Sequence, residues 1–449
     1  VNMLSQRCAL QTKLNPVNAV TKRNKNVFLK RIIAFIVLNL SYFIAKRLAT
    51  SKKYKNSVSA PIIKIAIAAV AISVVMMLVS IATGMGLQQK IRDKITSFNG
   101  HVVISNFDNN QSEVTLEPIS TQQNFYPKFS EVPEVTAVHP FATKAGVVRT
   151  DKSFEGIVFK GVDKNYQWNY LEDYLVEGKL PEYKTEGMTN EVIVSGYLAN
   201  RLELKVGDKL DTYFLKNDGE GLPNVRAFTI SGIYDSGFPQ FDETFVIGDL
   251  KHIQRLNKWE KDEVGGFELF VNDFTKIDSI ADKVYSHIPS TLNSEPITTK
   301  YYNIFDWLKV FDLNIYIIVG LMILVAVINM IVALLVLILE RTQMIGILRA
   351  LGASNWSIRK IFVYNATYIV LVGLLIGNAI GLGLLLIQKY FGIITLDPTQ
   401  YYVKVAPVYI SPVYIILINV VLVVLSYLIM LIPSILITKI SPVKSIKFQ

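Results

Sequence analysis

The sequence contains few of the side chains that support disulfide, metal or redox chemistry. Its 449 residues include one cysteine, Cys8, so no intrachain disulfide can form. The residues before Cys8, SQR, lack the small side chains of a lipid-attachment motif. Four histidines are present, His101, His139, His252 and His287, and no two have metal-ligand spacing. We interpret them as surface or packing residues, and we predict neither a metal site nor a catalytic site.

A phosphate-binding loop is also missing. No segment fits GxxxxGK[ST], and no nucleophile elbow is present. The chain is therefore expected neither to hydrolyse ATP by itself nor to carry a cofactor. A membrane-anchored enzyme is a remote alternative, because no catalytic constellation supports it.

Charge is absent from four long segments, although 18% of all residues are charged and the mean hydropathy is +0.35. These segments are Ile65–Gln89, Leu313–Leu339, Ile361–Gln388 and Val405–Thr438. Each exceeds the roughly 18 residues that mark a membrane-span candidate. Burial inside a large soluble protein is the alternative, and four such runs would be hard to bury. Because the spans lack charges and are few, an ion relay or a secondary transporter is disfavoured.

Acidic residues are absent from positions 1–60, which carry 12 Lys and Arg. Residues 340–360 and 439–449 are also mainly basic, whereas 87–310 has 24 basic and 33 acidic residues, a net charge of −9. The positive-inside rule then places both termini and 340–360 in the cytoplasm, and 87–310 outside. The net charge of +10 is thus an orientation signal, and no nucleic-acid partner is expected.

The predicted fold is a four-helix membrane protein with a large α+β domain, outside the cytoplasm, between the first and second spans. The predicted segments are a basic N-terminus with an interfacial helix (1–60), spans at 61–87, 311–339, 361–388 and 409–438, the outer domain with helical stalks (88–310), a cytoplasmic helix (340–360), a short outer loop (389–408) and a tail (439–449). No secretory signal peptide is expected, since the first long apolar run begins about 64 residues in. One hypothesis is that residues 1–36 precede the true start of translation, which a native peptide from 1–30 would refute.

The outer domain alternates strand and helix signals. Segments rich in Val, Ile, Phe, Tyr and Thr predict strands or strand-led units at 101–107, 135–150, 154–163, 191–202, 208–216, 226–236 and 265–273. Residues 275–288 predict a helix with one apolar face, formed by Ile277, Ile280, Ala281 and Val284. The polar segment 108–126 is predicted to be a mobile loop.

The stretch between the second and third spans, ERTQMIGILRALGASNWSIRK, predicts a short two-faced helix. Met344, Ile347, Leu348 and Leu351 form one stripe. Gly352 then stops the helix, and Ser354 or Asn355 caps the next one. Such a helix predicts a partner outside the bilayer, and the alternative is an amphipathic helix that lies on lipid.

The segment ERTQMIGILRALGAS resembles the signature of FtsX-like permeases, the membrane subunits of MacB-type ABC systems. In the outer domain, EVIVSGYLANRLELKVGDKLDTYF and FTISGIYDSGFPQFDETFVIGDLKHIQRL resemble segments of the same family. The N-terminal NLSYFIAKRL resembles the lipoprotein-releasing, or Lol-type, branch. The resemblance covers roughly residues 39–449.

The resemblance implies a cytoplasmic ABC ATPase as partner, with ATP and Mg²⁺ bound by that subunit. It also implies the bacterial inner membrane, a periplasmic outer domain, a second permease copy or a paralogue, lipoprotein cargo and a periplasmic lipoprotein carrier. The expected ATPase-coupling residues are Met344, Ile345, Ile347, Leu348, Arg349, Leu351 and Gly352. The alternatives within the superfamily are an efflux or peptide-export permease and a non-transporting subunit that controls cell-wall hydrolases.

A cargo cavity is predicted at mid-depth of the first two spans. Its candidate residues are Met76, Met77, Val79, Ser80, Val325, Ile328, Asn329 and Met330. Ordinary helix packing is the alternative role for each of them. Gly373, Gly377 and Gly381 are spaced by four, which predicts close helix contact.

Overall fold

The structure is a computed structural model that describes residues 42–45, 59–109, 112–183, 187–216 and 222–430. The chain divides into a membrane unit (Val1–Ala82, Ile315–Ile387 and Ile410–Gln449) and an outer unit (Thr83–Asn314 and Gln388–Tyr409). The predicted interfacial helix, apart from residues 42–45, and the predicted tail lie outside the described residues.

In chain order the helices are α1 (Ser59–Asn99), α2 (Asn169–Glu172), α3 (Gly196–Arg201), α4 (Pro239–Asp242), α5 (Lys251–Asn257), α6 (Ile277–Ser286), α7 (Ile297–Lys300), α8 (Tyr302–Glu340), α9 (Thr342–Ala350), α10 (Asn355–Phe391), α11 (Pro398–Tyr401) and α12 (Pro412–Met430). The strands are β1 (Val102–Asn106), β2 (Ile119–Ser120), β3 (Val135–Arg149), β4 (Phe154–Val162), β5 (Leu175–Gly178), β6 (Glu191–Ser195), β7 (Lys209–Phe214), β8 (Asn224–Tyr234), β9 (Phe245–Asp249), β10 (Glu263–Val264), β11 (Gly266–Val271) and β12 (Leu292–Pro296).

Within the described residues, four helices are long and apolar enough to cross a membrane: α1, α8, α10 and α12. Three of them exceed what a bilayer requires. The 41 residues of α1 extend about 60 Å at 1.5 Å per residue, about twice the thickness of the hydrocarbon core. Both α1 and α8, the latter with 39 residues, therefore continue past the end of their apolar runs, as the stalk prediction requires.

Glycine brings α10 against α1 inside the membrane unit. A Cβ on Gly373 would lie 2.8 Å from side-chain carbons of Val70, and one on Gly377 would lie 2.7 Å from Cβ of Val74. Only a hydrogen fits at these positions, so the backbones approach closely. The predicted role of the glycine spacing in helix contact is confirmed for both residues.

The outer unit is built on one ten-stranded mixed sheet. Its order is β12-β1-β11-β3-β4-β9-β6-β8-β5, and β7 pairs with both β3 and β8. The 15-residue strand β3 pairs with β11 over its first half and with β4 over its second half. The pairs β4–β9 and β6–β8 are parallel, and in both cases further strands and helices lie between the two partners in the chain. The α+β class is therefore confirmed.

The end of α1 is part of the core of this outer unit. Phe98 stacks on Phe241, with ring centroids 5.2 Å apart, and its centroid lies 5.3 Å from that of Tyr234. All three side chains are nearly fully buried. Their burial removes a large apolar area from water, which holds the last turn of α1 in the domain.

The predicted face of α6 is confirmed, because Ile277, Ile280, Ala281 and Val284 are all buried. The described part of segment 108–126 is mostly loop, as predicted, but the structure attaches it to the domain at two apolar residues. Ile119 pairs in β2 with Val264, and the side chain of Phe125 is 2% exposed. Because the segment is mostly polar, the sequence did not predict the burial of Ile119 and Phe125.

Candidate functional site

The turn after α9 is closed by backbone hydrogen bonds. The N–H of Ala353 donates to the carbonyl of Leu348 at 2.9 Å, and the N–H of Gly352 donates to that of Arg349 at 3.0 Å. This pair of bonds defines a Schellman C-cap, in which the left-handed residue is Gly352 with φ +88°. The predicted stop at Gly352 is confirmed.

The next helix begins immediately after this cap. The Oγ of Ser354 accepts a hydrogen bond from the N–H of Ser357 at 3.2 Å, as an N-cap residue does. Helix α10 starts at Asn355 and runs without a break to Phe391. Residues 355–360, which the sequence assigned to the cytoplasmic helix, thus belong to the same rigid helix as the third span. Through this geometry a displacement of the turn would act directly on α10.

Three apolar side chains are exposed at this turn, and we call them the apolar tip. Ile347 is 48% exposed, Leu351 is 79% exposed and Trp356 is 53% exposed. The sequence predicted the first two residues and missed Trp356. A tryptophan two residues after a cap, in an otherwise polar turn, is the signal that would have found it.

The other predicted coupling residues differ in how deeply they are buried. Ile345 is fully buried, so it anchors α9 within the chain and is not available to a partner in this conformation. Met344, Leu348 and Arg349 are half-buried at the edge of the apolar tip. Gly352 is exposed and shapes the turn.

The predicted cavity residues also differ in how exposed their side chains are. Met77 and Met330 are 1% and 3% exposed, which indicates packing between helices instead of a cavity wall. Met76, Val325 and Ile328 are exposed, at 46%, 42% and 51%. The half-buried members are Val79, Ser80 and Asn329. Thus three of the eight residues present an open apolar surface in the membrane unit.

An unpredicted polar pair joins α10 and α12. Nδ2 of Asn378 donates to Oδ1 of Asn419 at 2.7 Å, and Nδ2 of Asn419 donates back to Oδ1 of Asn378 at 3.1 Å. Each Nδ2 also donates to a carbonyl of its own helix, Leu374 or Ile415. The pair lines an apolar groove of about 470 Å³ that is formed by residues of both helices.

A hydrogen-bonded glutamine connects the two stalks inside the outer unit. Nε2 of Gln88 on α1 donates to the carbonyl of Leu308 at 3.2 Å and to Oδ1 of Asp312 at 2.8 Å, both on α8. Near the start of α8, Ile304 and Leu308 are also buried, and the rings of Trp307 and Phe311 lie 4.8 Å apart. The stalks are therefore fastened to each other.

The histidines lie as packing or surface residues. His139 and His252 are buried among aromatic rings, while His287 is exposed. Burial lowers the pKa of His139 to about 4, so it is neutral at physiological pH. Within the described part of the chain, no group of three or more His, Cys, Asp or Glu could hold a metal ion.

Two family models match the chain. The model of the FtsX-like permease C-terminal domain matches residues 316–442, and that of the MacB-like periplasmic core domain matches residues 65–284. The two matches account for the membrane helices after the outer domain and for most of the outer domain itself. This is a membrane protein with a periplasmic domain.

Curated relatives match most of the chain at low identity. The lipoprotein-releasing system transmembrane protein LolC of Xylella fastidiosa is 21% identical over 92% of this chain and 98% of the relative. The corresponding LolE protein of Haemophilus influenzae is 22% identical over 77% of this chain and 82% of the relative. Among solved structures, the periplasmic region of MacB from Actinobacillus actinomycetemcomitans covers 46% of this chain and 92% of its own, with 12% identity and a TM-score of 0.30.

Proposed function

Because this chain belongs to the FtsX-like permease family and carries a MacB-like periplasmic core domain, we propose that it is the membrane subunit of an ABC transporter that releases lipoproteins from the inner membrane. The observation that carries the proposal is the similarity to a LolC protein over 92% of the chain and to a LolE protein over 77% of it. The four spans and the domain order agree with it.

In this proposal a separate cytoplasmic ATPase binds ATP and Mg²⁺ and contacts the apolar tip. A pocket on that subunit would cover Ile347, Leu351 and Trp356, which are otherwise open to water. The basic residues near both termini and in 340–360 support the proposed cytoplasmic position of the termini and of α9. This chain contributes no nucleotide site of its own.

Motion would pass from the turn to the outer unit along continuous helices. The turn between α9 and α10 connects directly to two spans, and α1 and α8 continue past their apolar runs into the outer unit. Helices are stiff along their axes, and Gln88 fastens the two stalks together. A second copy of this chain or a paralogue completes the transporter.

A cargo that carries acyl chains requires an apolar surface, which apolar helices provide. Moving an acyl chain out of the bilayer costs about 0.8 kcal/mol for each CH₂ that reaches water, so extraction requires both an apolar path and nucleotide energy. The open apolar surface at Met76, Val325 and Ile328 is the proposed contact for the cargo. A periplasmic lipoprotein carrier would then receive the lipoprotein.

Depletion of this chain, followed by separation of the two membranes, tests the proposal. Outer-membrane lipoproteins should accumulate in the inner membrane. Normal sorting would refute lipoprotein release. In that case, altered drug tolerance would indicate an efflux permease, and chains of undivided cells would indicate control of cell-wall hydrolases.

A further inference from the structure

The outer unit contains a basic pocket of about 420 Å³ where α1, the end of α10 and the segment 402–408 meet. Four lysines line it: Lys90, Lys94, Lys389 and Lys404. Two aspartates, Asp173 and Asp235, also line it, so the pocket carries two more positive than negative charges. The surrounding surface is otherwise mostly apolar, formed by the chain from Val403 to Val408.

Two of these lysines are engaged. Nζ of Lys94 donates to the carbonyl of Tyr402 at 2.7 Å, which holds the segment in place. Nζ of Lys404 lies 2.5 Å from Oδ2 of Asp235. Both ammonium groups therefore already have an oxygen partner within the protein.

The other two lysines are open to a ligand. Lys389 is exposed and Lys90 is half-exposed, and neither forms an ion pair with any residue that the structure describes. The nearest aromatic contact of Lys90 is the ring of Tyr174, whose centroid lies 5.5 Å from Nζ. Two lysines that form no ion pair among the described residues, beside an apolar wall, form an amphipathic site.

The position of these lysines in the chain indicates which ligand they meet. Lys90 follows directly after the uncharged run Ile65–Gln89, and Lys389 follows directly after Ile361–Gln388. Each is therefore the first charge beyond the hydrocarbon, at the depth of the lipid phosphates. At that depth the phosphate of an anionic lipid lies near the two lysines, and the apolar part of the lipid lies near the apolar wall.

We propose that this pocket binds the phosphate-bearing headgroup of an anionic phospholipid from the outer leaflet of the inner membrane. Lys90 and Lys389 contact the phosphate, and the apolar wall from Val403 to Val408 contacts the glycerol and the first part of an acyl chain. The bound lipid steadies the segment that Lys94 and Lys404 attach to the domain. This site does not depend on what the transporter carries.

The test measures binding of short-chain phosphatidylglycerol to the full chain in detergent, with phosphatidylcholine of the same chain length as the neutral comparison. The variant K90Q/K389Q keeps polar side chains and removes both free charges. The matched control is K128Q/K261Q, which removes two exposed lysines elsewhere on the outer unit. Inorganic phosphate is titrated in a separate arm.

We expect phosphatidylglycerol to bind more tightly than phosphatidylcholine. K90Q/K389Q should weaken its binding about thirtyfold, which corresponds to about 1 kcal/mol for each lysine at an anionic surface. The control should bind like the unmodified chain. Equal affinity for both lipids, or equal losses in variant and control, would overturn the proposal. Displacement of the lipid by inorganic phosphate at similar affinity would assign the site to free phosphate instead. If the double variant aggregates, K389Q alone, at an exposed position, should still weaken binding.

Discussion

The carboxamides of Asn378 and Asn419 bond to each other in both directions, at 2.7 and 3.1 Å, between α10 and α12. Both residues lie within uncharged membrane segments, where water is not available as a substitute partner. Each side chain satisfies the other, and the second N–H of each bonds to its own helix. The pair therefore sets the register between the two helices.

The first prediction concerns this pair. Asn419→Leu leaves Oδ1 and one N–H of the Asn378 carboxamide without partners, which should destabilise the membrane unit by about 1–2 kcal/mol. The double variant N378L/N419L should recover much of that loss, since no polar group remains unpaired. Unfolding of the full chain in mixed detergent measures both.

The control for this experiment is Asn329→Leu. Among the described residues, the Asn329 amide donates to the carbonyl of Val325 in its own helix, at 3.0 Å, and to no other helix. Its loss should have a smaller effect than the loss of Asn419. If the double variant is as unstable as the sum of its single variants, the two residues are not coupled and the register role is incorrect.

The second prediction concerns the contact between α1 and α10. In Gly377→Ala the new Cβ would lie 2.7 Å from Cβ of Val74 and 2.8 Å from the carbonyl oxygen of Ala71. The helices must separate, which should cost about 1–3 kcal/mol. Thermal unfolding in detergent measures the loss.

Gly383→Ala on the same helix provides the matched control. Nothing lies within 4 Å of a Cβ at Gly383, so only helix propensity changes, and alanine should stabilise by up to about 1 kcal/mol. Equal shifts of the melting temperature in both variants would contradict close packing at Gly377.

The sequence predicted the elements that depend on local periodicity. The four apolar runs, the buried face of α6 and the stop at Gly352 all follow from composition and spacing, and the structure contains each of them. Strand β3 was predicted over 135–150 for the same reason, because it is rich in Val, Ala and Thr across its whole length.

The features that the sequence did not predict depend on contacts between distant residues. Asn378 and Asn419 are 41 positions apart, and nothing in either helix alone indicates that they meet. Short strands such as β2 and β10 gain their pairing from each other, Ile119 with Val264, and are too short to show alternation. Likewise, the burial of Ile345 on α9 and the exposure of Leu351 directly after it depend on the neighbouring helices.

The third prediction is a pH dependence of stability through Asp163. Burial raises the pKa of this carboxyl to about 6 from its ordinary value of 3.8, although Asn165 donates two hydrogen bonds to it. The folded state therefore holds the proton more tightly than the unfolded state does. Stability from this group is complete below about pH 4 and is lost as the pH rises through about 6.

Asp163→Asn removes this titration and should raise stability at pH 7.5 by up to about 3 kcal/mol. At pH 4 the variant should match the unmodified chain. Melting temperatures at both pH values measure the difference, with Asp151→Asn in an exposed turn as the control. A gain of equal size at both pH values would show that the carboxyl of Asp163 does not titrate in this range.

The fourth prediction concerns the apolar tip. Leu351 is 79% exposed, so Leu351→Glu should leave the fold of this chain intact. In an interface the new carboxylate would lose its hydration without a partner, which should reduce the amount of bound ATPase about tenfold or more. The readout is the rate of ATP hydrolysis in complexes purified from native membranes through a tag on this chain.

Leu215→Glu is the matched control, because Leu215 is 71% exposed on the outer unit and far along the chain from α9. That variant should retain the full ATPase rate. The two variants therefore distinguish an ATPase-binding helix from an amphipathic helix that lies on the membrane surface. The latter would give equal ATPase rates for both variants. A rate that falls with Leu351→Glu but not with Leu215→Glu would place the partner at the apolar tip, which Leu351 shares with Ile347 and Trp356.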